Sequence, residues 1–169
     1  EHPLVRNLVI GSATALDELP EDVDAVVSLC RVGTAQVRAG VESVEVRLID
    51  TDAADNPNRD QTVDDAARTT IALLTEGKRV YLHCVAAQSR TPTVATRVTA
   101  LLGHDTDEAL RTVVDALPVA RPKRFLVDSL KRLANDPSSG SAAHVEHGFN
   151  SDEDGDWWLH SEAPESDDW

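Results

Sequence analysis

Short apolar runs alternate with longer stretches of mixed apolar and polar residues over the first 135 positions of the chain. The short runs are rich in Val, Ile and Leu and are bounded by Gly, Asp, Asn or Pro, which is typical of buried strands. They predict four strands, at residues 8–10, 25–29, 44–49 and 80–83.

The longer stretches predict six helices, at residues 14–19, 34–39, 61–76, 91–102, 106–116 and 123–134. Some of their ends carry helix signals, because Gly77 and Gly103 stand where a left-handed C-terminal residue favours glycine, and Asp105 can cap the fifth helix. Alternating strands and helices predict an α/β fold. We expect a three-layer sandwich in which helices flank a central, mainly parallel sheet of four to five strands.

The composition changes at Asp136, where a stretch of Pro, Ser, Gly and Ala gives way to a run of acidic residues. Residues 1–135 are therefore predicted to form one catalytic domain, and residues 136–169 a flexible linker and acidic tail. The tail contains Trp157, Trp158 and Trp169. Two interpretations stay open: a solvated tail whose rings lie loosely on the domain, or a peptide that docks on a partner or another domain.

The formal net charge of −14 is unevenly distributed, because residues 137–169 hold nine acidic side chains and no Lys or Arg. The rest of the chain holds 21 acidic and 16 basic side chains. Nucleic-acid backbones and anionic lipid surfaces are bound by clustered Lys and Arg, so we expect neither of them as a partner.

The two cysteines, Cys30 and Cys84, form neither a disulfide framework nor a zinc-ligand spacing, which favours a reducing compartment and predicts no metal or other cofactor. No stretch approaches the roughly 20 apolar residues of a membrane-spanning helix, and no leader pattern opens the chain. We therefore expect a cytoplasmic protein. The composition suggests a prokaryotic source, and the lack of Met predicts that Glu1 is not a natural start.

The predicted strand VYLHC runs into the segment HCVAAQSRT, in which five residues stand between Cys84 and Arg90. This segment leads into a predicted helix and has the pattern of a nucleophile motif. A loop from a strand end into a helix N-terminus directs backbone N–H groups at one spot, which makes an anion site. The same amides would stabilise the thiolate of Cys84, and Arg90 could hold two phosphate oxygens. The predicted cradle consists of Val85, Ala86, Ala87, Gln88 and Ser89.

The sequence HCVAAQSRTPT resembles the loop H-C-x-x-G-x-S-R-S-P-T of the small dual-specificity branch of the cysteine-dependent protein-tyrosine phosphatases. The resemblance covers residues 4–135, since NLVIGSATAL and VDAVVSLC look like the branch's first elements and ARPKRFLVDSLKRL like its last helix. It implies hydrolysis of phosphate monoesters, such as phosphotyrosine, phosphoserine or phosphothreonine in proteins, through a phosphocysteine intermediate. In this family His83 would order the loop, and the hydroxyl of Thr91 would hydrogen-bond the sulfur.

Ala87 departs from the family pattern, because the family has glycine at this position. If the backbone there needs a positive φ, alanine costs about 1 kcal/mol and can distort the cradle. A phosphate-recognition module with weak or no turnover is therefore an alternative to the protein phosphatase, and a phosphoesterase for small molecules is another. The loop offers no lysine for the extra phosphates of inositol polyphosphates.

Phosphatase chemistry also needs a general acid, which the family supplies as an Asp on an upstream loop. The segment LIDTDAADNPNRD offers three candidates. Asp52, which lies 32 positions before Cys84, is the first choice, Asp55 is its main rival and Asp50 the lesser one.

Cys30 ends the second predicted strand, so in a parallel sheet it should lie at the same carboxyl edge as Cys84. Phosphoinositide-phosphatase relatives place a cysteine similarly, and there it forms a reversible disulfide with the nucleophile. The resemblance thus implies that Cys30 is a redox partner of Cys84, against the simpler interpretation of a packed core thiol.

Overall fold

The computed structural model describes residues 1–32, 37–52 and 56–136. The predicted general-acid candidate Asp55 and the predicted tail at 137–169 lie outside these residues, so both stay predictions. The described elements are β1 Leu8–Ser12, a 3₁₀-helix Ala13–Glu18, β2 Ala25–Ser28, β3 Glu42–Glu45, α1 Arg59–Thr75, β4 Val80–Cys84, α2 Arg90–Leu101, α3 Thr106–Ala116 and α4 Arg124–Asn135.

The four strands form one parallel sheet in the order β1-β4-β2-β3. This confirms the predicted α/β class and a sheet of four strands. In β4, successive side chains point to opposite faces, as the period of a strand requires. Leu82 packs into the larger core beneath the α-helices, whereas Tyr81 packs into a smaller core with the 3₁₀-helix.

The two outer layers are unequal. Helices α1 and α2 contact the sheet, α4 packs on both of them, and α3 packs on α2. All four described α-helices therefore contribute to the larger core. The opposite face is covered by the 3₁₀-helix and by irregular chain, through Leu16, Leu19 and Val23. The predicted helix at 14–19 is thus a 3₁₀-helix, and the part of the predicted helix 34–39 that is described, residues 37–39, is not helical.

The prediction of a third strand at 44–49 is wrong in its position, since β3 ends at Glu45. β3 is an edge strand with the sequence ESVE, and most of its residues are exposed. It therefore lacks the apolar run that was used to predict strands. The apolar residues Val46 and Leu48 follow it in irregular backbone, and Leu48 is fully packed in the core. Their amides still bond the end of β2, because Val46 N donates to Ser28 O and Leu48 N to Leu29 O.

The carboxyl ends of three strands meet at one edge of the sheet. β4 lies between β1 and β2, with Ser12 opposite Cys84 and Ser28 opposite His83. The loop that follows Cys84 is therefore surrounded by chain on both sides, and clefts at such an edge are where open α/β sheets bind ligands.

Outside this edge, His2 provides a test of the packing on α2. Its side chain is buried, its Nδ1 accepts from the backbone N–H groups of Leu4 and Val5, and its Nε2 lies 3.2 Å from Thr99 Oγ1. Burial lowers the pKa of His2 from its ordinary value of 6.5 to about 4. The imidazole is therefore neutral in the folded protein at neutral pH.

We expect His2 to make folding pH-dependent between pH 6.5 and 4. In this window the unfolded chain binds a proton that the folded chain does not, so the contribution is complete above pH 6.5 and is lost as the pH falls to about 4. The full loss is about 3 kcal/mol. Urea unfolding of wild type and His2→Asn at pH 7 and pH 4.5 measures this effect. The free energy of unfolding of wild type minus that of His2→Asn should fall by about 2–3 kcal/mol between pH 7 and pH 4.5. A gap that is independent of pH would contradict this account.

Candidate active site

The site is built around Cys84, the last residue of β4, whose side chain is 3% exposed. Five loop residues separate it from Arg90, the first residue of α2. Within the loop Ala87 and Ser89 are buried, whereas the side chains of Val85 and Gln88 are exposed. The predicted geometry of strand, loop and helix is therefore the one that the structure shows.

The carbonyl groups of the loop are bonded to neighbouring segments. Val85 O accepts from Ala13 N at 3.1 Å, and Gln88 O accepts from Arg121 N at 2.6 Å. Since the N–H of a trans peptide points opposite to its carbonyl, the next amides, those of Ala86 and Ser89, point away from these segments. This is the arrangement that an amide cradle for an anion needs.

Ala87 has φ of 56°, in the left-handed region. The structure thus confirms that this loop position has the backbone conformation in which glycine is favoured. An L-residue there costs about 1 kcal/mol. The residue is 3% exposed, so the alanine adopts the left-handed conformation in a buried position and bears this cost.

Arg90 is oriented by backbone carbonyls. Its Nη1 donates to Leu29 O at 3.1 Å and to Leu48 O at 3.2 Å, at the edge where β2 ends and where the chain leaves β3. Its Nε is buried and has no hydrogen-bond partner among the described residues. A buried donor without a partner is rare in native proteins and points to a ligand that accepts from it. A guanidinium held in this way suits an oxyanion.

His83 is buried and fixed at both ring nitrogens. Its Nε2 lies 2.7 Å from Ser28 Oγ and its Nδ1 lies 3.3 Å from Cys84 O. Burial lowers the pKa of His83, so the ring is neutral at neutral pH and carries one proton. Because a carbonyl only accepts, that proton is on Nδ1, and Ser28 donates to Nε2. Ser28 thereby holds the tautomer in which His83 donates to the peptide that begins the loop.

Thr91 follows Arg90 and is fully buried. Its hydroxyl donates to Gly11 O at 3.3 Å, which is a long bond to the end of β1. The role expected from the resemblance, a hydrogen bond to the sulfur of Cys84, would require the hydroxyl to turn from this carbonyl. That role stays a prediction.

The described acid candidates have different surroundings. Asp52 has a side chain that is 81% exposed, with Oδ1 3.7 Å from Arg59 Nη1. Asp50 is held by Lys123, whose Nζ lies 3.2 Å from Asp50 Oδ2 and donates to Asp50 O. Both acids follow Leu48, whose carbonyl binds Arg90, so the acid loop leaves directly from the rim of the site.

Sequence reasoning missed three residues that organise this site. Ser28 fixes His83, as described above. The backbone N–H of Lys123 donates to Ser89 Oγ at 3.0 Å, so one residue connects the loop to Asp50. Arg59 is buried, donates to Ser129 Oγ at 2.9 Å, and lies beside Asp52. Ser28 and Lys123 act on residues more than 30 positions away, and Arg59 joins Asp52, seven positions before it, to Ser129, 70 positions after it. No local pattern marks them.

Cys30 lies at the same sheet edge as Cys84, as its position after β2 predicted. The residue is buried, and burial raises the pKa of its thiol above the ordinary value; the charge of Arg90 lowers this pKa by a smaller amount, and that of Cys84 raises it further. Both cysteines are free thiols. The redox role of Cys30 stays a prediction.

Metal sites and membrane-spanning helices are both absent from the described residues. Residues 1–32, 37–52 and 56–136 contain no group of three or more His, Cys, Asp or Glu side chains placed to hold a metal ion. In the same part of the chain, no helix has the length and apolar character needed to cross a bilayer.

Comparison by sequence finds no matching protein-family model and no significant match among curated proteins. Comparison by structure finds matches that include dual-specificity phosphatases. Human DUSP28 superposes with a TM-score of 0.66 at 22% identity, over 76% of this chain and 92% of its own. A mouse putative dual specificity phosphatase complexed with zinc tungstate gives a TM-score of 0.65 at 24% identity, over 78% and 86%.

Tk-PTP in the active form gives a TM-score of 0.63 at 25% identity, over 75% of this chain and 90% of its own. These matches establish the fold. They show that this chain has the fold of the small dual-specificity phosphatases.

We expect Ser28→Ala to weaken the preference of the His83 ring for the tautomer with its proton on Nδ1. The reason is that the fully buried Nε2 loses the hydroxyl that donates to it. Unfolding free energy should fall by about 1–3 kcal/mol. In nitrogen-15 NMR of the histidine ring, the preference for Nδ1–H should weaken or reverse. Ser129→Ala is a matched control, since it removes another buried hydroxyl far from His83 in sequence and should leave the His83 signals unchanged. An unchanged tautomer in Ser28→Ala would contradict the role of this hydroxyl.

Proposed function

We propose that this chain, which has the fold of the small dual-specificity phosphatases, hydrolyses phosphate monoesters through a phosphocysteine intermediate. One observation carries the proposal. Cys84 begins a loop in which the amides of Ala86 and Ser89 point away from the neighbouring segments. At the end of that loop, Arg90 Nη1 donates to two backbone carbonyls, and its buried Nε–H has no partner among the described residues. These groups together suit a phosphate better than any neutral ligand.

In the first step, the thiolate sulfur of Cys84 attacks phosphorus and the bond to the leaving oxygen breaks. The carboxyl group of Asp52 gives its proton to that oxygen. The loop amides and Arg90 stabilise the negative charge on the three remaining oxygens in the transition state. The products are a free alcohol or phenol and a phosphoryl group on Cys84.

In the second step, water attacks the phosphoryl group and the S–P bond breaks. The carboxylate of Asp52 takes a proton from the water, and Cys84 leaves as a thiolate. We assign Asp52 ahead of Asp50 because the carboxylate of Asp50 lies 3.2 Å from Lys123 Nζ, whereas that of Asp52 lies 3.7 Å from Arg59 Nη1 and its side chain is 81% exposed.

The proposed substrates are phosphotyrosine, with phosphoserine or phosphothreonine, in proteins, or a small phosphoester. No lysine stands in the loop to favour a polyphosphorylated ligand. The mouse neighbour is described as complexed with zinc tungstate, and tungstate is a tetrahedral oxyanion like phosphate. A phosphate-sized anion is therefore the expected ligand of this site.

Ala87 favours a second candidate function, a module that binds phosphate groups with weak or no turnover. The left-handed φ of a residue that carries a methyl group adds backbone strain to the loop that has to close on the transition state. The two functions differ in turnover and share the binding of oxyanions.

Hydrolysis of para-nitrophenyl phosphate and of a phosphotyrosine peptide by a set of variants tests the proposal. Cys84→Ser should abolish turnover, because the nucleophile is lost while the cradle remains. Asp52→Ala should lower kcat about 10²–10⁴-fold on the phosphotyrosine peptide. The loss should be smaller on para-nitrophenyl phosphate, whose leaving group needs less protonation. Asp50→Ala is the matched control and should retain most of the activity.

Each outcome has a definite meaning. Inhibition of wild type by vanadate together with loss of turnover in Cys84→Ser supports the phosphocysteine route. Tight vanadate binding by a wild type that shows no turnover, together with turnover in Ala87→Gly, would favour the recognition module. A larger loss in Asp50→Ala than in Asp52→Ala would move the general acid to Asp50.

We also propose that Cys30 protects Cys84 from over-oxidation. Peroxide oxidises the Cys84 thiolate to a sulfenic acid and is reduced to water. The Cys30 thiol then condenses with it, forming the disulfide and releasing a second water. A reducing, cytoplasmic compartment would return both thiols.

After mild peroxide treatment, wild type should lose both free thiols and regain activity with a dithiol reductant. Cys30→Ser should instead lose activity irreversibly as Cys84 proceeds to the sulfinic acid. Free-thiol titration and peptide mass spectrometry read both outcomes. Two free thiols in treated wild type, or equal recovery of both proteins, would contradict the proposal.

A further inference from the structure

The backbone of residues 48–52, which we call the acid loop, is fixed as far as Asp50. Three consecutive carbonyls of this loop accept hydrogen bonds from side chains outside it: Leu48 O from Arg90 Nη1 at 3.2 Å, Ile49 O from Asn56 Nδ2 at 2.9 Å and Asp50 O from Lys123 Nζ at 2.9 Å. The side chain of Asp52 therefore stands at the end of a tethered segment.

Arg59, the first residue of α1, brings a positive charge to this side chain. Its Nη1 lies 3.7 Å from Asp52 Oδ1, which is an ionic contact too long for a hydrogen bond. The side chain of Arg59 is 9% exposed, whereas that of Asp52 is 81% exposed. Nη1 is buried and has no hydrogen-bond partner among the described residues. A buried donor thus lies within a small side-chain rotation of an exposed carboxylate oxygen.

The guanidinium of Arg59 is held in place by two residues of α4. Its Nε donates to Ser129 Oγ at 2.9 Å, and its central carbon lies 5.1 Å from the centre of the Phe125 ring. Because the guanidinium is planar, a bond at Nε together with the ring contact fixes the direction of Nη1. Arg59 is therefore the fixed member of the pair, and Asp52 is the member that can move.

The other acids near Arg59 have bases of their own. Asp60 Oδ1 lies 3.8 Å from Arg59 Nε, but the same carboxylate accepts two hydrogen bonds from Arg132, at 2.5 and 2.8 Å. Asp50 Oδ2 lies 3.2 Å from Lys123 Nζ. In the described part of the chain, Asp52 is therefore the carboxylate that faces Arg59 Nη1.

We propose that Arg59 is a positioning residue for the general acid. Its Nη1 closes on Asp52 Oδ1 when a substrate binds, and this contact directs Oδ2 at the leaving oxygen. The role rests on the proposed phosphatase function, with Asp52 as the acid. Closing needs a movement of about 0.8 Å, from 3.7 Å to the roughly 2.9 Å of an N–H···O hydrogen bond. Catalytic hydrogen bonds are often long before substrate binds and shorten in the complex.

The contact also decides which oxygen of Asp52 carries the transferred proton. Arginine has donors only, so Oδ1 accepts from Arg59 in both protonation states of the carboxyl group. In the first step the proton on Oδ2 passes to the leaving oxygen. In the second step Oδ2 takes a proton from the attacking water, while Oδ1 stays on Arg59.

The dependence of kcat/KM on the leaving group tests this role in Arg59→Met. Aryl phosphates from phenyl phosphate to 2,4-dinitrophenyl phosphate span poor to good leaving groups, and a good one needs little protonation. Arg59→Met should lower kcat/KM about tenfold on phenyl phosphate and less than about twofold on 2,4-dinitrophenyl phosphate. The variant should fold, because Ser129 keeps its bond to Phe125 O and Asp60 keeps Arg132.

Two further variants and a matched control accompany it. Arg59→Lys keeps the charge and should recover part of the activity on phenyl phosphate. Ser129→Ala removes the acceptor of Arg59 Nε and should show the same leaving-group pattern with a smaller loss. Arg68→Met is the control, since Arg68 also lies on α1 and pairs with an aspartate, Asp64, about 14 Å along the helix from Arg59. It should match wild type on every substrate.

The double variant Arg59→Met, Asp52→Ala should be no slower than Asp52→Ala alone, because Arg59 acts through this carboxyl group. Equal losses on all leaving groups in Arg59→Met, or its full effect in the Asp52→Ala background, would overturn the role of Arg59 and leave the phosphatase function standing. If wild type hydrolyses none of the aryl phosphates, the phosphatase function fails, and the role of Arg59 fails with it.

Discussion

The position of β4 between two parallel neighbours is the constraint on which the site depends. Its register with β1 and β2 brings Cys84 to the same edge as Ser12 and Ser28. The loop after Cys84 then has chain on each side, and its carbonyls bond to Ala13 N and Arg121 N. With these two carbonyls turned to the neighbouring segments, the amides of Ala86 and Ser89 point away from them, which is the backbone geometry that the proposed anion site needs.

The same constraint explains why a strained residue is tolerated in the loop. Ala87 stores about 1 kcal/mol in its left-handed backbone, while the surrounding contacts hold the loop in one conformation. Arg90 is held similarly, by the carbonyls of Leu29 and Leu48. Preorganised donors of this kind need little rearrangement when charge develops on a transferring phosphoryl group, which is the physical basis of the proposed catalysis.

Much of the fold and the centre of the site could be predicted from the sequence, because both depend on local patterns. Three strands and four α-helices follow from apolar periodicity, and Cys84 and Arg90 from one short motif. The third strand was misplaced because Val46 and Leu48 pack against the larger core from irregular backbone that follows β3. Ser28 and Lys123 escaped prediction because their roles come from contacts between distant segments, and Arg59 because its burial depends on the distant Ser129 and Phe125. The choice between Asp52 and Asp55 stays open for structural reasons, since Asp55 lies outside the described residues.

The most direct test of the central claim is to trap the covalent intermediate. A phosphotyrosine peptide labelled with phosphorus-32 would be mixed with wild type, with Asp52→Ala, in which hydrolysis of the intermediate is slowed, and with Cys84→Ser, and the reactions quenched within milliseconds. The account predicts label on the peptide that contains Cys84, more of it in Asp52→Ala, and none in Cys84→Ser. Turnover without any label on Cys84, or label on a different residue, would contradict it.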